Sequence, residues 1–563
     1  MQDGLPVAAA QEERFNRIKT SPVFPIQAIN YCVQAGKISF DDIDCVAFYE
    51  KPYLKFSRVI IDHLMSYPFS IRNFLDSVPH WLQERLILPL LLKKEIGFEG
   101  KVHFLKHHLS HAASAFLVSP FDEATILTAD GVGEWATTTF GRGQGRKIQI
   151  LKEIRYPDSL GLLYSAITSY LGFKANRGEG KVMALASYGK PRYMEKMKEI
   201  VMVKPDGSFR LDSRYFGFNK GRKMYSRRFL RAFGAERTPE SEINERHCDI
   251  AATLQALIEE VVLSMARNIH DETRLDNLCL AGGLFLNCVV NHRILEETPF
   301  KRVFIQPASG DSGGALGAAC YAYHVLFDKP REYVMENAYL GPEFSDTQIK
   351  RTLSSSRFKF QTLDEISLCR KIAQALLQNR IVGWFQGRME FGPRALGNRS
   401  ILANPCNPET KDILNSRVKK RESFRPFAPV VLEEKAAEYF ELQDHSPFML
   451  LAPRVRENKK SVIPAVTHVD GTARVQTLTE RQNPMLYRLI KNFEAISGVP
   501  VLVNTSLNLR GEPIVCSPQD ALSCFERSEM DILVLGNCVV ERNNRRASVR
   551  NPLIFSKGKD SLR

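Results

Sequence analysis

The stretch ATILTADGVG, residues 124–133, joins a short uncharged run to an acid and two glycines. A run of this kind that stops at Asp-Gly is typical of a buried β-strand ending in a turn. Glycine turns also occur at LCLAGG, residues 278–283, and at ASGDSGG, residues 308–314, before a helix of small residues. Because such turns and helix N-termini let the backbone approach phosphate groups, the three predict an α/β domain with a nucleotide cleft.

On both sides of these turns, strand-like and helix-like segments alternate along the chain. We predict strands at residues 44–49, 102–105, 124–129, 137–140, 148–154, 277–280, 302–305, 381–385, 499–503 and 532–535, and helices at 108–118, 246–270 and 364–378. Residues 53–97 are apolar and helical in character, with breaks expected at Pro68, Pro79 and Pro89. Prolines and charges near residues 327–345 predict a boundary between two parts of the chain.

The composition is that of a globular protein and excludes a disordered, collagen-like or coiled-coil chain. The 563 residues are 44% hydrophobic and 25% charged, a length that suits two large domains. Lys and Arg number 77 and Asp and Glu 63, a net charge of +14, which favours anionic partners. The basic stretch at residues 220–231 fits a solvated surface better than an anion site.

The sequence also indicates where in the cell the protein is expected. No apolar run approaches the roughly 20 residues that a membrane-spanning helix needs, so we expect no membrane span. The N-terminal residues lack the pattern of a secretory signal. The eleven cysteines are scattered without a C-x-x-C pair, which predicts reduced thiols in a cytoplasmic protein.

The segment KHHLSHAASAF, residues 106–116, predicts a metal site. His107 and His111 are four residues apart, so on a helix they share one face, while His108 points elsewhere. Asp130 at its strand end and Asp311 before its helix are candidate partners. Two imidazoles with carboxylates suit Fe²⁺, Mn²⁺ or Zn²⁺. The alternative is a pair of surface histidines with a capping aspartate.

A third group of residues lies mainly in the second half and is rich in cations. Its members are Arg394, Lys419, Arg425, Arg474, Asn504 and Ser506, and Lys181 adds a cation in the glycine-rich segment RGEGKVMALASYG. A guanidinium matches phosphate oxygens with two hydrogen bonds, so the group predicts a pocket for a small phosphorylated molecule and ATP. Any one of these arginines alone would be read as part of a surface ion pair.

Taken together, these motifs resemble the NodU/CmcH carbamoyltransferase family. Nine segments carry the resemblance in order: AAAQEERFNRIK, KHHLSHAASAF, TADGVGEWATT, GEGKVMALASYG, LAGGLFLNCVVN, SGDSGGALGAA, GRMEFGPRALGNRSILANP, VKKRESFRPFAP and NTSLNLRGEPIV. They span nearly the whole chain.

The resemblance implies an actin-like ATPase domain of two RNase H-like halves over residues 1–340 and a YrdC-like α/β domain over 341–563. The second domain would make carbamoyl-adenylate from carbamoyl phosphate and ATP with Mg²⁺. The first would pass the carbamoyl group to a hydroxyl of a sugar-like or secondary-metabolite acceptor. No nucleic-acid partner is expected.

The resemblance also implies roles for individual residues. The metal ligands would be His107, His111, Asp130 and Asp311, with iron as the first choice; Lys181, Gly282, Gly283, Asn287 and Asn504 would bind nucleotide; Arg394, Lys419, Arg425, Arg474 and Ser506 would be catalytic on carbamoyl phosphate and ATP. Variable loops such as residues 53–97 and 205–245 would build the acceptor pocket, and residues 53–97 are also a candidate dimer surface.

The sequence departs from the family pattern at its start. Members begin with a strand and a His-Asp loop before the hairpin, whereas this chain opens at Gln2-Asp3-Gly4, inside that hairpin. We expect either a misassigned start or a truncation that removes a catalytic base. Loss of the first strand leaves open a nucleotide-binding protein without catalysis. The positive charge and the same pair of folds leave open a second alternative, an RNA-modifying enzyme of the threonylcarbamoyl type. The second is disfavoured because no basic patch interleaved with aromatics is present.

Overall fold

The computed structural model of the protein describes residues 1–68, 70–218 and 223–542. The predicted α/β class is confirmed, since helices and mixed sheets alternate along the chain. Up to residue 326 the helices are α1 (Glu12–Asn16), α2 (Ile26–Gly36), α3 (Pro52–Met65), α4 (Ile71–His80), α5 (Leu88–Ile96), α6 (His107–Phe116), α7 (Leu160–Tyr170), α8 (Glu179–Ala186), α9 (Met194–Ile200), α10 (Arg227–Phe233), α11 (Glu245–Thr273), α12 (Cys288–Glu297) and α13 (Asp311–Tyr321). The strands of this part are β1 (Cys45–Phe48), β2 (Lys101–Phe104), β3 (Glu123–Ala129), β4 (Ala136–Gln144), β5 (Lys147–Arg155), β6 (Val201–Val203), β7 (Phe209–Leu211), β8 (Asn277–Ala281) and β9 (Arg302–Ile305).

The rest of the chain has its own set of elements. Its helices are α14 (Asp346–Ser354), α15 (Glu365–Leu377), α16 (Thr410–Ile413), α17 (Ala436–Tyr439), α18 (Glu457–Lys460), α19 (Pro484–Ser497) and α20 (Pro518–Arg527). Its strands are β10 (Phe360–Thr362), β11 (Val382–Phe385), β12 (Arg399–Ala403), β13 (Ala428–Leu432), β14 (Gln476–Leu478), β15 (Val501–Ser506), β16 (Ile532–Leu535) and β17 (Cys538–Glu541).

A five-stranded sheet in the order β5-β4-β3-β8-β9 positions the candidate metal residues. Strands β3, β4 and β5 form an antiparallel meander, and β8 and β9 continue the sheet in parallel with β3. Six of the seven residues of β3 are buried because α6 and α11 cover its faces. The turns after β3, β8 and β9 therefore meet at one edge, as expected for the ends of parallel strands.

The second part is built on an eight-stranded mixed sheet in the order β10-β17-β16-β11-β12-β15-β13-β14. Its central strand β11 pairs in parallel with β16 and antiparallel with β12. All four residues of β11 are buried, which explains their continuous apolar run. The cationic segments predicted to bind phosphate are loops at the ends of β11, β13, β14 and β15.

Residues near the N-terminus form hydrogen bonds between the first part of the chain and the second. The buried guanidinium of Arg14, in α1, donates to the carbonyl of Gly392 at 2.7 Å. Arg17 donates to the carbonyl of Ile514 at 2.6 Å and lies 3.6 Å from a carboxylate oxygen of Asp520. The two hydrogen bonds join residues that are 378 and 497 positions apart in the sequence.

The proline segment differs from expectation, whereas the described cations of the basic stretch are exposed, as predicted. Only Pro68 separates helices: Pro79 lies inside α4, and Pro89 lies in the first turn of α5, where its missing N–H costs no helical hydrogen bond. In the basic stretch, Lys220 and Arg222 lie outside the described residues. Lys223 forms an ion pair with Glu236, and the remaining cations of the stretch belong to α10.

No helix within the described ranges is long and apolar enough to cross a membrane, in agreement with the sequence.

We predict that Gly282→Ala lowers the free energy of unfolding by at least about 2 kcal/mol. Gly282 has a φ of +102°, and an added Cβ would lie 2.1 Å from the carbonyl oxygen of Ala129. The measurement is chemical denaturation of the purified protein. Gly180→Ala is the matched control, because a Cβ there meets no atom within 4 Å. Equal stability of both variants would contradict the steric argument.

Candidate active site: a histidine–aspartate cluster and a cluster of cations

Four of the predicted side chains converge at the edge of the five-stranded sheet. The ligand atoms of His107, His111, Asp130 and Asp311 all lie within 4.8 Å of one another. The Nε2 atoms of the two histidines are 3.1 Å apart. Nε2 of His107 lies 3.2 Å from Oδ2 of Asp130 and 3.7 Å from Oδ1 of Asp311. The structure therefore brings together the four residues that the sequence offered as metal ligands.

Local structure explains why the four meet. The two histidines share one face of α6, and both are buried. Asp130 follows β3 directly, and Asp311 is the first residue of α13. His108 lies between them in sequence but turns away, and its Nδ1 atom is 2.7 Å from the hydroxyl of Thr128. This orientation was also predicted from the helical period.

The donor set fits a divalent cation. Two ligands at right angles, each about 2.1 Å from one ion, stand about 3.0 Å apart, close to the separation of the two Nε2 atoms. The histidine Nε2 atoms and the carboxylate oxygens include pairs that are 3.7 to 3.8 Å apart, which fit wider angles between ligands around the same ion. Imidazole nitrogen with carboxylate oxygen suits Fe²⁺, Mn²⁺ or Zn²⁺. Geometry alone selects none of the three.

The charges within the cluster are strongly coupled. Burial alone would lower the pKa of His111, but the carboxylates of Asp130 and Asp311 outweigh it and raise that pKa to about 9. Burial disfavours the charge on Asp130, yet hydrogen bonds from both histidines hold its pKa well below the usual range. The cluster thus stabilises positive charge at its centre, either as a proton or as a cation.

One short segment, residues 282–288, connects this cluster to the second part of the chain. The backbone N–H of Gly283 donates to Oδ1 of Asp130 at 2.8 Å, which orients that carboxylate. Four residues from Gly282, the carbonyl of Leu286 accepts a 3.2 Å hydrogen bond from Arg394. Three residues predicted from sequence to bind nucleotide, Gly282, Gly283 and Asn287, therefore belong to the segment that joins the two clusters.

The arginines of the second part gather opposite this segment. Arg394, Arg421, Arg425 and Arg474 are only partly exposed. Burial and the charge of Arg474 lower the pKa of Arg394 to about 9, and burial with the charges of Arg425 and Arg474 lowers that of Arg421 to about 9. Like charges held together out of water favour a bound anion.

Two members of this cationic cluster lack protein partners. The guanidinium groups of Arg425 and Arg474 make no hydrogen bond or ion pair with any part of the chain that the structure describes. The buried Nε of Arg394 also has none. Because buried charged groups are normally paired, these free donors are available to phosphate oxygens.

Lys419 and Ser506 lie together on the other side of the cationic loops. The buried ammonium of Lys419 donates to the Ser506 carbonyl and lies 3.4 Å from the Ser506 hydroxyl. It also donates to Oδ1 of Asn508 at 2.8 Å. Burial and the nearby charge of Arg421 hold the pKa of Lys419 well below its usual range. Asn508 was not predicted from the sequence.

The other predicted nucleotide-binding residues make contacts within the protein. Lys181 forms a 2.7 Å ion pair with Glu422, across the boundary between the two parts. Asn287 caps α12, and its amide donates to Gln255 at 2.9 Å. The amide of the buried Asn504 donates to Gln476 at 2.8 Å, in the wall of the cationic loops. Their roles in binding nucleotide remain predictions.

Lys19 is a further cation that the sequence patterns did not single out. Its ammonium is partly buried and has no hydrogen bond or ion pair among the described residues. Burial lowers its pKa, Glu13 opposes this, and the nearby charge of Arg425 lowers it further. Arg177 fixes the turn by donating to the Lys19 carbonyl. Sequence spacing could not identify Lys19, because it comes near Arg425 only in the folded protein.

We predict that Lys19→Gln weakens the binding of a phosphorylated ligand about tenfold, the effect of losing one charge-assisted hydrogen bond. Titration calorimetry with ATP measures the dissociation constant. Lys37→Gln, at an exposed position elsewhere in the N-terminal region, is the matched control. An unchanged dissociation constant for Lys19→Gln would place this lysine outside the pocket.

Comparisons with known proteins identify the family of the chain. The family described as Carbamoyltransferase N-terminus matches residues 1–320, and the family described as Carbamoyltransferase C-terminus matches residues 373–542. The first match includes all four members of the histidine–aspartate cluster. The second includes the four arginines of the cationic cluster.

Individual relatives extend over most of the chain. An uncharacterized protein of Synechocystis sp. is 46% identical, covering 96% of this chain and 94% of the relative. The nodulation protein NolNO of Sinorhizobium fredii is 38% identical over 96% of this chain and 78% of its own. The 3'-hydroxymethylcephem-O-carbamoyltransferase of Amycolatopsis lactamdurans is 35% identical over 78% of this chain and 80% of its own. The chain therefore belongs to the NodU/CmcH-type carbamoyltransferase family and is an enzyme of the transferase class.

Proposed function

We propose that the protein is an ATP-dependent O-carbamoyltransferase with two linked reactions. In the cationic cluster, water hydrolyses carbamoyl phosphate to carbamate and phosphate. A carbamate oxygen then attacks the α-phosphorus of ATP, which forms carbamoyl-adenylate and releases pyrophosphate. At the histidine–aspartate cluster, the carbamoyl group passes to the hydroxyl of a small acceptor, and AMP leaves. The family membership and the name of the cephem relative support transfer to oxygen.

The observation that carries the proposal is the segment from Gly282 to Cys288 between the two clusters. It holds Asp130 through the Gly283 N–H and accepts from Arg394 through the Leu286 carbonyl. An adenylate made beside Arg394 would therefore need to travel only along a few residues of backbone. Short enclosed transfer protects a mixed anhydride from water.

The first reaction depends on positive charge. The free guanidinium groups of Arg425 and Arg474 would bind phosphate oxygens and neutralise the charge that develops on the leaving pyrophosphate. Lys419, with its pKa lowered by burial and Arg421, would bind a phosphate oxygen near Ser506. Mg²⁺ would enter with ATP as part of that substrate.

The second reaction depends on the histidine–aspartate cluster. His107, His111, Asp130 and Asp311 would hold a divalent cation, for which iron is our first choice and manganese or zinc the alternatives. When bound, such an ion supplies Lewis-acid polarisation of a carbonyl or phosphate oxygen. The Gly283 N–H fixes Asp130, and Glu134 accepts from the backbone N–H of His107 at 3.1 Å, so both ligands are oriented before substrate arrives.

For the architecture, we propose an actin-like transfer domain over residues 1–340 and a YrdC-like domain over 341–563. The sheet order β5-β4-β3-β8-β9, an antiparallel meander followed by two parallel strands, supports one RNase H-like half. The parallel pair β1–β2 would belong to the other half. The eight-stranded mixed sheet of the second part supports a separate catalytic unit.

The proposal is tested by incubating the purified protein with ATP, Mg²⁺ and carbamoyl phosphate. We expect AMP and pyrophosphate to form only when carbamoyl phosphate is present. Addition of candidate sugars and other polyols should then give a product that is heavier by one carbamoyl group in place of hydrogen, detected by mass spectrometry. ATP turnover that is the same with and without carbamoyl phosphate would refute the proposal.

A further inference from the structure

Helix α3 is built with its polar side inward and its apolar side outward. The side chains of Arg58 and His63 are buried, whereas those of Leu64 and Met65 are 71% and 83% exposed. A helix at a protein surface normally has the opposite arrangement. The apolar side is therefore a candidate surface for a partner.

The inward polar side has a clear reason within the protein. Glu50, which is fully buried, forms 2.5 Å ion pairs with Lys55 of α3 and with Arg85. Arg58 packs over the ring of Tyr156 at 5.1 Å. The polar side chains of α3 thus face partners inside the protein, which accounts for their inward orientation.

The exposed side continues onto the neighbouring helix. We call Leu54, Ile61, Leu64, Met65 and Leu75 the outer apolar face. Helices α3 and α4 are packed together, with the rings of His63 and Phe74 5.3 Å apart, so both contribute to one surface. Nearly half of the exposed large hydrophobic side chains in the described residues lie between residues 53 and 90.

This surface is large enough for a stable protein interface. The five side chains of the outer apolar face present on the order of 500 Å². Each partner in a standard interface buries about 800 Å², of which somewhat over half is apolar. The largest apolar patch of a typical monomer is about 300–600 Å² and is often functional. Its extent alone, however, fits either a second copy or another apolar surface.

The charges on α4 favour a second copy. Arg72 and Asp76 are both exposed and lie one helical turn apart. If two α4 helices cross antiparallel about a twofold axis, each Arg72 faces the Asp76 of the other copy. An anionic membrane surface would attract Arg72 but repel Asp76, so this pair gives no net attraction to a membrane.

We propose that the outer apolar face is the interface of a homodimer, formed by α3 and α4 of two copies around a twofold axis. The interface lies on the side of α3 opposite its buried polar side chains. This inference does not depend on the proposed carbamoyl transfer.

The test is sedimentation velocity of the full chain across a range of concentrations. We expect a wild-type dimer, and we expect L64E/M65E to weaken dimerisation at least 100-fold. I366E, which changes an exposed isoleucine of α15, is the matched control and should leave the dimer intact. Circular dichroism of each variant checks the fold.

A charge reversal makes the test specific for a second copy. R72D and D76R should each weaken the dimer, and the double variant R72D/D76R should restore it, because the twofold axis recreates both pairs. A monomeric wild-type chain, or a dimer that survives L64E/M65E, would overturn the proposal. Binding to anionic vesicles by a monomeric wild-type chain would assign the face to a membrane instead.

Discussion

Replacing Arg474 by alanine is expected to reduce formation of AMP and pyrophosphate from ATP and carbamoyl phosphate by roughly 100- to 1,000-fold. Arg474 has no hydrogen bond or ion pair with any described residue. It lies near Arg394, Arg421 and Arg425, whose pKa values its charge helps to lower. A guanidinium without a protein partner among other cations is placed to stabilise charge on a phosphate.

Arg474→Lys should recover part of this activity, since the charge returns without the planar fork that binds two oxygens. Arg481→Ala is the matched control: it removes an exposed guanidinium of the same part, paired with Glu336 at 2.7 Å. The measurement is pyrophosphate release at saturating substrates, with thermal unfolding as a check on stability. Full activity of Arg474→Ala would show that the cationic cluster does not take part in the reaction.

Replacing His107 by alanine is expected to separate the two reactions. Bound metal should fall to background and carbamoyl transfer should drop at least about 100-fold, because a ligand of the cluster is lost. Formation of AMP and pyrophosphate in the other cluster should stay within about twofold. Elemental analysis of the purified protein and mass spectrometry of the acceptor measure the two effects.

His445→Ala is the matched control for this variant, because His445 is 69% exposed and outside the cluster. Chelation of the wild-type protein should reproduce the His107→Ala result, and restoring Fe²⁺, Mn²⁺ or Zn²⁺ one at a time should identify the metal. Equal metal content in the wild type and His107→Ala would show that the four residues hold no ion.

The histidine–aspartate cluster could be predicted from sequence because its signals are local. His107 and His111 share a helix face by spacing, and Asp130 and Asp311 stand at a strand end and a helix start. The element limits followed the same logic: α11, predicted over 246–270, runs from Glu245 to Thr273. Hydrophobic periodicity and turn residues are enough to predict where a helix or strand begins and ends, and which residues share one face of a helix.

The relation between the two clusters could not be predicted in this way. Which cations lie beside the segment from Gly282 to Leu286 depends on how the two parts pack, and no spacing in the sequence encodes that. Lys19 is the sharpest case, since it comes near Arg425 only after α1 docks on the second part. The inverted polarity of α3 could not be predicted either, because an amphipathic pattern does not say which side of the helix faces inward.

The docking of α1 also matters for anyone who recombines members of this family. Arg14 and Arg17 bond to the backbone carbonyls of Gly392 and Ile514, so an exchange of the whole first part would bring a foreign helix to that surface. A graft of residues 53–97 would leave the contacts of Arg14 and Arg17 in place, but it would replace Lys55 and Arg85, which pair with the buried Glu50. Chimeras that exchange this segment should therefore keep these two cations.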